Sequence, residues 1–349
     1  MPKKTYIDEI LLAIAILSIV AILWIGLDPA LQDQVAPNGN MTEVTVTEIP
    51  ATLTPTATVA PTTVPIATPT PTAVPTATPT PALTSTPAPV PTATPEPKKL
   101  YVHQIAVGCA NAYLIQSEGV SIVIDGGLNN TSTQKKISEY LTSVNAYPLA
   151  AYVATHYHDD HTGNMDFILS NFANRDAIVF GPGTQVKQTH RPLVQGTYRQ
   201  MKNGDIIQFD NLTITCVGPQ TVRSSGTINQ DSLNFVLQYG EHRMFFTGDY
   251  VRSKEVLAEH EDLISNVDVF QFPHHGLEDF CITRQGFQTV NPKIVLVPAN
   301  SSGPSQRLAK ELGINAQFYD NRDGNIVIES DGTNLIVHTN AQPGQFVSD

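Results

Sequence analysis

The stretch from about Thr47 to Pro97 limits what this chain can fold into more than any other part of the sequence. It consists mostly of Thr, Pro, Ala and Val, and it holds just over half of the 26 prolines of the 349-residue chain. Such a composition cannot build a hydrophobic core, and its prolines favour the extended polyproline II conformation. We therefore expect residues 28–97 to be a disordered linker and residues 98–349 to form the one folded domain.

An almost wholly apolar run, Ile10 to Leu27, precedes the linker. About 18 residues at 1.5 Å per residue span roughly 27 Å, close to the ~30 Å core of a bilayer. Lys3 and Lys4 precede the run, and no Lys or Arg follows until Lys98. This asymmetry predicts a single transmembrane helix over residues 10–27, a short cytoplasmic segment over residues 1–9, and a folded domain outside the membrane.

A cleaved signal peptide is the alternative for the apolar run. The run is long for the apolar part of a signal peptide, and Leu27–Ala30 is a poor small-x-small cleavage site. We therefore favour an uncleaved anchor at the cell membrane. With ~3.1 Å per residue, the roughly 50 residues of the Thr/Pro tract could then reach on the order of 150 Å as a stalk.

The folded region has roughly 250 residues, a size that single layered domains reach. The short apolar runs that predict strands are Tyr101–Val107, Tyr113–Gln116, Ser121–Ile124, Tyr152–Ala154, Ile206–Phe209, Leu212–Val217, Phe235–Tyr239, Met244–Thr247, Val267–Phe272, Ile294–Val297, Ile326–Glu329 and Leu335–His338. The patterns that predict helices are Thr133–Val144, Asn164–Phe172, Lys254–Glu259, Thr283–Thr289 and Pro304–Leu312. Strands mixed with crossover helices predict an α/β or α+β layered fold.

The segment from His156 to His161 carries most of the chemistry. It reads H-x-H-x-D-H and directly follows the apolar stretch Leu149–Ala154 and one Thr. Imidazole binds zinc and other first-row metals, and carboxylate suits harder ions. His156 and His158 would share one side of an extended segment by its period of two, and Asp160 would lie with His161 in the turn beyond. Packing alone gives no reason to collect four such groups, so the sequence predicts a metal site.

Further motifs stand around this cluster in a fixed order. Ile122–Gly127, ending in Asp-Gly-Gly, precedes it; Phe245–Asp249, ending in Gly-Asp, and Phe272–Gly276, ending in His-His-Gly, follow it. The ordered set resembles the metallo-β-lactamase superfamily of hydrolases over essentially all of Leu100 to His338. The resemblance implies a four-layer αββα sandwich with metal ions at the strand ends between two sheets.

Within that superfamily the pattern is similar to the extracytoplasmic domain of ComEC-type competence proteins. The similarity rests on Tyr101–Ile115 with its Val-Gly-Cys-Ala-Asn-Ala turn, on Asn229–Leu233, on the His-His-Gly element and on Asp323–Ile326. Phosphorylcholine esterases of bacterial cell surfaces have a similar His-His-Gly arrangement. Both resemblances imply phosphodiester substrates.

The superfamily resemblance and ligand chemistry together assign two metal sites. We expect His156 and His158 to bind the first ion, and Asp160 and His161 to bind the second. We expect Asp249 to bridge both ions, because a carboxylate has two oxygens to share.

The His-His-Gly element and Asp125 complete this assignment. We expect His275 to bind the second ion, and His274 to contact the substrate or donate a proton. We expect Asp125 to orient a ligand imidazole and not to bind metal itself. Because Asp-Gly and Gly-Asp pairs are common in turns, Asp125 and Asp249 could instead be turn residues.

One element of many superfamily hydrolases is missing. A Gly-His-Thr-x-Gly element usually supplies another ligand, but the equivalent stretch here, Thr227–Ser232, contains no His. The first ion would then take Asn229 or Asp231, directly or through water, or lack that ligand. His190 is a further candidate.

The predicted chemistry is metal-assisted hydrolysis. Two divalent ions, zinc or else manganese, would lie ~3.5–4 Å apart and hold a hydroxide that attacks the substrate. Asp160 would orient the hydroxide, and His274 would protonate the leaving group. A phosphodiesterase or nuclease-like enzyme is favoured. A lactamase, lactonase or thioesterase is the alternative, and a non-catalytic surface binding module with a degenerate metal site is the third reading.

Charge and cysteine content add two constraints. The formal net charge of -12 gives no support for binding nucleic acid, although bound divalent ions would change the local field. Cys109, Cys216 and Cys281 lie far apart with no C-x-x-C pair. We expect buried, unreactive thiols, with one disulfide as the alternative.

Overall fold

The computed structural model describes residues 98–183, 198–224, 226–342 and 344–346. The predicted transmembrane helix over residues 10–27, its cytoplasmic segment, the linker over residues 28–97 and His190 all lie outside the described residues. Among the residues that are described, no helix is both long enough and apolar enough to span a membrane.

The described residues form strands in two sheets. The strands are β1 (Leu100–Gln104), β2 (Tyr113–Ser117), β3 (Val120–Ile124), β4 (Leu149–Val153), β5 (Ala173–Gly181), β6 (Tyr198–Gln200), β7 (Ile206–Phe209), β8 (Leu212–Gly218), β9 (Asn234–Tyr239), β10 (His242–Phe246), β11 (Val269–Gln271), β12 (Ile294–Val297), β13 (Gln317–Asp320), β14 (Ile326–Ser330) and β15 (Leu335–His338). The order is β15-β14-β1-β2-β3-β4-β5-β6 in the first sheet and β13-β12-β11-β10-β9-β8-β7 in the second.

Helices connect the parallel strands of each sheet. They are α1 (Thr131–Ser143), α2 (Asp159–Thr162), α3 (Met165–Phe172), α4 (Ser253–Ile264), α5 (Arg284–Val290) and α6 (Gly303–Leu312). Strands β3 to β6 pair in parallel, as do β10 to β13, whereas the other neighbouring pairs are antiparallel. Parallel neighbours need such crossover connections, which explains where the helices occur in the chain.

The core has three apolar layers, because the central strands are buried on both faces. Tyr113 and Phe246 meet edge to face between the two sheets, with ring centroids 5.4 Å apart. Their chain neighbours point outward: Leu114 packs under α1 and α3, and Phe245 packs under α4, α5 and α6. The domain is therefore a mixed α/β sandwich with helices outside both sheets, as the sequence predicts.

Most predicted strands are present within a few residues, and the bounds of β7, β12 and β15 match. The sequence does not predict β5, β6 and β13. The first half of β5 is Ala-Asn-Arg-Asp and mostly exposed, and β6 and β13 are short strands at sheet edges. β6 and β13 bury too few apolar side chains to show a strand pattern, whereas the second half of β5 is a buried apolar run that the sequence analysis missed.

His103 in β1 makes the stability of the domain sensitive to acid. It is fully buried, its Nδ1 lies 2.9 Å from the Tyr140 hydroxyl, and its Nε2 has no hydrogen-bond partner among the described residues. Burial lowers the pKa of His103 to about 3. Between that value and the usual pKa of about 6.5, the unfolded chain binds a proton that the folded chain does not, so stability falls as the pH falls.

We expect His103→Gln to remove this acid sensitivity. Between pH 7 and pH 5 the wild type should lose about 2 kcal/mol more unfolding free energy than the variant, which is the linkage expected over the window below pH 6.5. Urea unfolding at both pH values, with a chelator present to exclude metal release, measures the difference. Equal losses in both proteins would contradict the assignment to His103.

Candidate metal centre

The candidate metal centre lies at the ends of parallel strands in both sheets. Asp125 directly follows β3, and His156 comes shortly after the neighbouring parallel strand β4. In the second sheet Asp249 comes shortly after β10, and His275 after the parallel strand β11. Parallel strands end at the same edge of a sheet, so each sheet brings two of these residues together.

The predicted ligands form two donor groups that share Asp249. The groups are His156, His158 and Asp249, and Asp160, His161, Asp249 and His275. Within each group the donor atoms all lie within 4.8 Å of one another. Asp249 Oδ1 is 3.0 Å from His161 Nε2, and Asp249 Oδ2 is 3.7 Å from His156 Nε2. One oxygen thus faces each group, the arrangement expected of a carboxylate that bridges two ions.

Hydrogen bonds define which ring nitrogen is available for metal in two of the histidines. His161 Nδ1 lies 2.7 Å from Asp125 Oδ2, and His158 Nε2 lies 3.1 Å from the carbonyl oxygen of Thr227. Carboxylate and carbonyl oxygens accept hydrogen bonds, so each of these nitrogens carries the proton. His161 Nε2 and His158 Nδ1 are therefore the nitrogens left to bind a metal.

Asp125 holds the segment that carries the metal ligands. Its φ of +56° is in the left-handed region, which is uncommon for a residue with a side chain, and its carboxylate is fully buried. Besides His161, it accepts the backbone N–H of Thr155 at 2.9 Å and the Thr155 hydroxyl at 2.7 Å. Asp125 therefore lies beside the ligands and outside both donor groups.

Two hydroxyl groups support His156. Its Nδ1 lies 3.3 Å from Thr155 Oγ1 and 3.4 Å from Ser232 Oγ. Because the Thr155 hydroxyl donates to Asp125, it can accept a hydrogen bond from His156 Nδ1, which leaves Nε2 for a metal. Ser232 Oγ also accepts the backbone N–H of Asp249 at 3.0 Å, so it holds two ligands at once.

Gly248 allows this close packing. Its φ is +56°, and a Cβ at this position would lie 2.9 Å from Thr155 Cβ and 3.0 Å from Ser232 Cβ. Real Cβ atoms do not approach that closely, and a left-handed φ favours glycine. The Gly-Asp pair of the sequence motif is therefore required by packing: glycine brings the bridging carboxylate against the residues that support His156.

The donor atoms fit divalent metal ions. His156 Nε2, His161 Nε2 and Asp249 Oδ1 are buried and make no hydrogen bond of good geometry with the described residues, although His161 Nε2 and Asp249 Oδ1 form an ion pair with each other at 3.0 Å. An unsatisfied buried polar atom costs about 1–3 kcal/mol, and bound metal would satisfy all three. Imidazole and carboxylate are ligands of zinc, manganese and iron alike, so the donor set indicates a metal without identifying it.

The carboxylates of the centre are not neutralised by Lys or Arg side chains of the described residues. Asp125, Asp160 and Asp249 lie in it, and no Lys or Arg of the described ranges forms an ion pair with them. Burial alone would lower the pKa of His161, but Asp249 and Asp125 raise it well above its usual value. Burial alone would raise the pKa of Asp160, but His275 and His161 lower it to about 2. The ionised carboxylates therefore favour bound cations.

A protein-family model described as the metallo-beta-lactamase superfamily matches residues 107–284, just over half of the chain. The chain belongs to the metallo-β-lactamase superfamily. Superfamily membership and the two donor groups make the folded domain a metal-dependent hydrolase. No curated protein matches the chain.

Solved metallo-β-lactamase-fold structures are similar at low sequence identity. YhfI from Bacillus subtilis is 14% identical, with a TM-score of 0.48 over 66% of this chain and 100% of that chain. A diphosphatase of the PhnP family is 12% identical, with a TM-score of 0.41 over 64% of this chain and 94% of that chain. The diiron β-hydroxylase CmlA from Streptomyces venezuelae is 12% identical, with a TM-score of 0.44 over 65% of this chain and 53% of that chain.

Asp231 and Asn229, the two residues proposed as further ligands of the first ion, belong to neither donor group of this metallo-β-lactamase domain. The Asp231 carboxylate accepts the backbone N–H groups of Arg223 at 2.8 Å, Ser224 at 2.7 Å and Gly226 at 3.1 Å, so it organises a loop and joins neither donor group. These contacts give no support for Asp231 as a direct metal ligand. Asn229 begins the same short turn, and its buried Oδ1 has no hydrogen-bond partner among the described residues.

The sequence analysis did not identify the residues that support the ligands. Thr155 directly precedes the H-x-H-x-D-H element, and Ser232 belongs to the Asn-x-x-Ser-Leu element, so both stood next to recognised motifs. Asp279, whose Oδ2 lies 2.7 Å from His274 Nδ1, follows the His-His-Gly element and carries no sequence signal of its own.

The three cysteines are all free. Cys216 is buried, and burial raises the pKa of its thiol to about 12. Cys109 is exposed and Cys281 is partly buried, so the expectation of buried thiols is wrong for Cys109. No disulfide constrains the described residues.

Proposed function

We propose that this metallo-β-lactamase domain is a phosphodiesterase that uses two divalent ions, most readily zinc, with manganese as the second choice. The observation that carries the proposal is the pair of donor groups joined by the two oxygens of Asp249. The similarity of residues 101–115 and 229–233 to ComEC-type domains supports the phosphodiester substrate. The absence of a His in Thr227–Ser232 argues against a lactamase or thioesterase site.

Bound in this centre, the ions would act as Lewis acids and lower the pKa of water toward neutrality. Asp160 retains 31% of its side-chain exposure, so its carboxylate can hold a water molecule at the open side of the centre by a hydrogen bond. His156, His161 and Asp249 are almost fully buried, which keeps bulk water away from the rest of the centre and strengthens the electrostatic interactions there.

A cluster of cations supports an anionic substrate. Arg223, Arg252 and Lys254 line one cavity together with Tyr250 and Thr283. Arg252 forms ion pairs with Asp231 and with Glu255, a carboxylate that also lines the cavity, whereas Arg223 and Lys254 are exposed and make no ion pair through their side chains with any described residue. Two such cations in one cavity are unusual in a chain with a net charge of -12.

Residues of this cation cavity are close in the chain to residues of the first donor group. Tyr250 directly follows Asp249 in the chain. The loop that begins at Arg223 ends at Thr227, whose carbonyl oxygen accepts the hydrogen bond from His158. We propose that a substrate with one phosphate at the metal centre places a further anionic group in the cavity.

We expect the double variant Arg223→Ala, Lys254→Ala to raise the KM for phosphodiesters by roughly 10-fold, about 1.4 kcal/mol, with little change in kcat. Hydrogen bonds from two charged groups are lost, and neither group belongs to the metal centre. Steady-state kinetics on a phosphodiester and on a neutral ester measure the effect, with the exposed cation Lys135→Ala as control. An equal rise in KM for both substrates would contradict an anion-binding role.

A substrate panel tests the proposed function. The full chain, loaded separately with Zn²⁺ and Mn²⁺, is assayed on phosphodiester, phosphorylcholine ester, β-lactam, lactone and thioester substrates. We expect phosphodiester hydrolysis that Asp160→Asn removes and Asp159→Asn retains, because only Asp160 belongs to a donor group although the two residues are neighbours. Activity on lactam or thioester alone would refute the substrate class, and two bound ions without any hydrolysis would favour a binding module.

We also propose that the domain lies outside the cell membrane, attached by residues 10–27 and raised by residues 28–97. The support is the apolar run, the distribution of Lys and Arg around it, and the proline content of the linker. Protease added to intact cells should release the folded domain. Protection of the domain until the cells are lysed would contradict this location.

A further inference from the structure

The first ion has fewer ligands than the second. Its donor group holds His156, His158 and Asp249, whereas the second group holds four residues. Zinc in catalytic sites usually has three protein ligands besides any water, but here the third of them is a carboxylate shared with the other ion. The stretch that supplies another His in many relatives contains none in this chain.

His274 lies next to this gap. Its Nε2 is 4.0 Å from Asp249 Oδ2, the same oxygen that lies 3.7 Å from His156 Nε2. Asp249 Oδ1, by comparison, lies 3.0 Å from His161 Nε2 and 3.7 Å from His275 Nε2. Each oxygen of the shared carboxylate is therefore flanked by two imidazole nitrogens.

The other nitrogen of His274 makes the contact that a metal-binding His usually makes. His274 Nδ1 lies 2.7 Å from Asp279 Oδ2, just as His161 Nδ1 lies 2.7 Å from Asp125 Oδ2. A carboxylate that accepts from Nδ1–H leaves the lone pair on Nε2 and orients the ring toward a metal. His274 Nε2 has no hydrogen-bond partner among the described residues.

His274, Asp279 and Cys281 could alternatively form a separate metal site, since their donor atoms cluster within 4.8 Å. These atoms, however, already satisfy one another. Besides the contact with Asp279, Cys281 Sγ lies 3.4 Å from His274 Nδ1. The cluster is therefore a hydrogen-bonded support for His274.

The backbone fixes this support relative to the metal centre. The carbonyl oxygen of Cys281 accepts the backbone N–H of Val251, two residues after Asp249, at 2.9 Å. His274 has φ +50° and His275 has φ +54°, a left-handed conformation that residues with side chains adopt rarely and that is concentrated at functional sites. The strained turn places one imidazole on each side of the Asp249 carboxylate.

We propose that His274 is the missing nitrogen ligand of the first ion, and that Asp279 is the positioning residue that orients it. In the metal-free structure His274 stands outside the first donor group, with its Nε2 4.0 Å from Asp249 Oδ2, so the proposal requires its ring to move toward the ion when metal binds. The inference rests on the two-ion part of the proposed function and is independent of the substrate. It changes the role expected for His274 from substrate contact or proton donor to metal ligand.

Metal binding to the full chain tests the proposal without any substrate. Zn²⁺ affinities are measured by competition with a chromophoric chelator, and bound metal is counted by mass spectrometry. We expect His274→Ala to weaken one of the two ions, and Asp279→Asn to weaken the same ion by roughly 10- to 100-fold. Asp279→Glu, which keeps the carboxylate, should recover part of that loss.

Double variants assign the ion. Adding His274→Ala to His156→Ala should leave the affinity of the remaining ion unchanged, because both residues would serve the first ion. Adding it to His275→Ala should weaken the remaining ion, because His275 serves the second. The opposite pattern would place His274 at the second ion and overturn the proposal.

Two further outcomes would also overturn it. One is unchanged affinity for both ions in His274→Ala with a raised KM, which would make His274 a substrate contact. The other is a third ion in the wild type that Cys281→Ser removes, with thiolate-to-cobalt absorption after Co²⁺ loading; Cys109→Ser is the matched control. A failure of the substrate panel with normal metal binding would refute the phosphodiesterase and leave this assignment standing.

Discussion

Asp249→Asn is expected to reduce the bound metal from two ions to at most one and to lower the hydrolysis rate by more than 100-fold. Removing a residue that merely supports a ligand typically costs 10- to 100-fold in affinity or activity, and Asp249 is a ligand in both donor groups. The amide keeps one carbonyl oxygen but loses the charge and the second acceptor. Metal content by mass spectrometry and initial rates at saturating Zn²⁺ measure the two effects.

Asp231→Asn is the matched control for this prediction. Asp231 is as buried as Asp249 and lies in the turn directly before Ser232, but it bonds a loop and no donor atom. The control should lose stability, since amide hydrogens would face backbone N–H groups, and it should keep both ions. Two ions in Asp249→Asn, or metal loss in Asp231→Asn, would contradict the shared-carboxylate arrangement.

The sequence predicted the metal centre better than its surroundings because the ligands carry their own chemistry. The H-x-H-x-D-H element, Gly-Asp and His-His-Gly each follow an apolar strand, and strand ends in two parallel arrays converge. Asp279 could not be predicted in this way. It follows the left-handed turn formed by His274, His275 and Gly276 and precedes two further left-handed residues, Phe280 and Cys281, and nothing local signals these turns.

The two hydroxyl residues that support His156 could not be predicted from the sequence either. Thr155 and Ser232 hold His156 from two different sheets, and their roles depend on the close approach that Gly248 permits. Such contacts join residues far apart in the chain, so they follow from the packing of the sheets and not from a local pattern. The strands that the sequence analysis missed have simpler causes, since the first half of β5 is mostly exposed and β13 is a short, partly buried edge strand.

The two carboxylates that bond ligand histidines differ in what they support. Asp125 is fully buried and also bonds the backbone and the hydroxyl of Thr155, so it belongs to the core of the domain. Asp279 is 51% exposed, and its side chain contacts His274 in the His-His-Gly turn and Cys281 in the loop that follows. Removal of Asp279 should therefore affect metal binding with little loss of stability, whereas removal of Asp125 should affect both.

Asp125→Ala is expected to weaken the second ion by roughly 10- to 100-fold, because His161 loses the partner that fixes its tautomer. In the metal-free protein, the carboxylates raise the pKa of His161 well above its usual value despite its burial. Without the Asp125 carboxylate, the buried charge of His161 is less compensated, and the backbone N–H and hydroxyl of Thr155 lose their acceptor. The metal-free form should therefore lose about 3–5 kcal/mol of unfolding free energy. Chelator competition and urea unfolding measure the two quantities.

Asp320→Ala separates the effect on metal from the effect on stability. Asp320 is also a buried carboxylate at the end of a strand. It accepts hydrogen bonds from the backbone N–H and the hydroxyl of Ser302, both at 2.8 Å, and it forms an ion pair with Arg322. It contacts no member of the donor groups, so the variant should lose stability and keep its metal affinity. If Asp125→Ala lowered stability alone, as Asp320→Ala should, Asp125 would be a structural residue and His161 would keep its orientation through Asp249 instead.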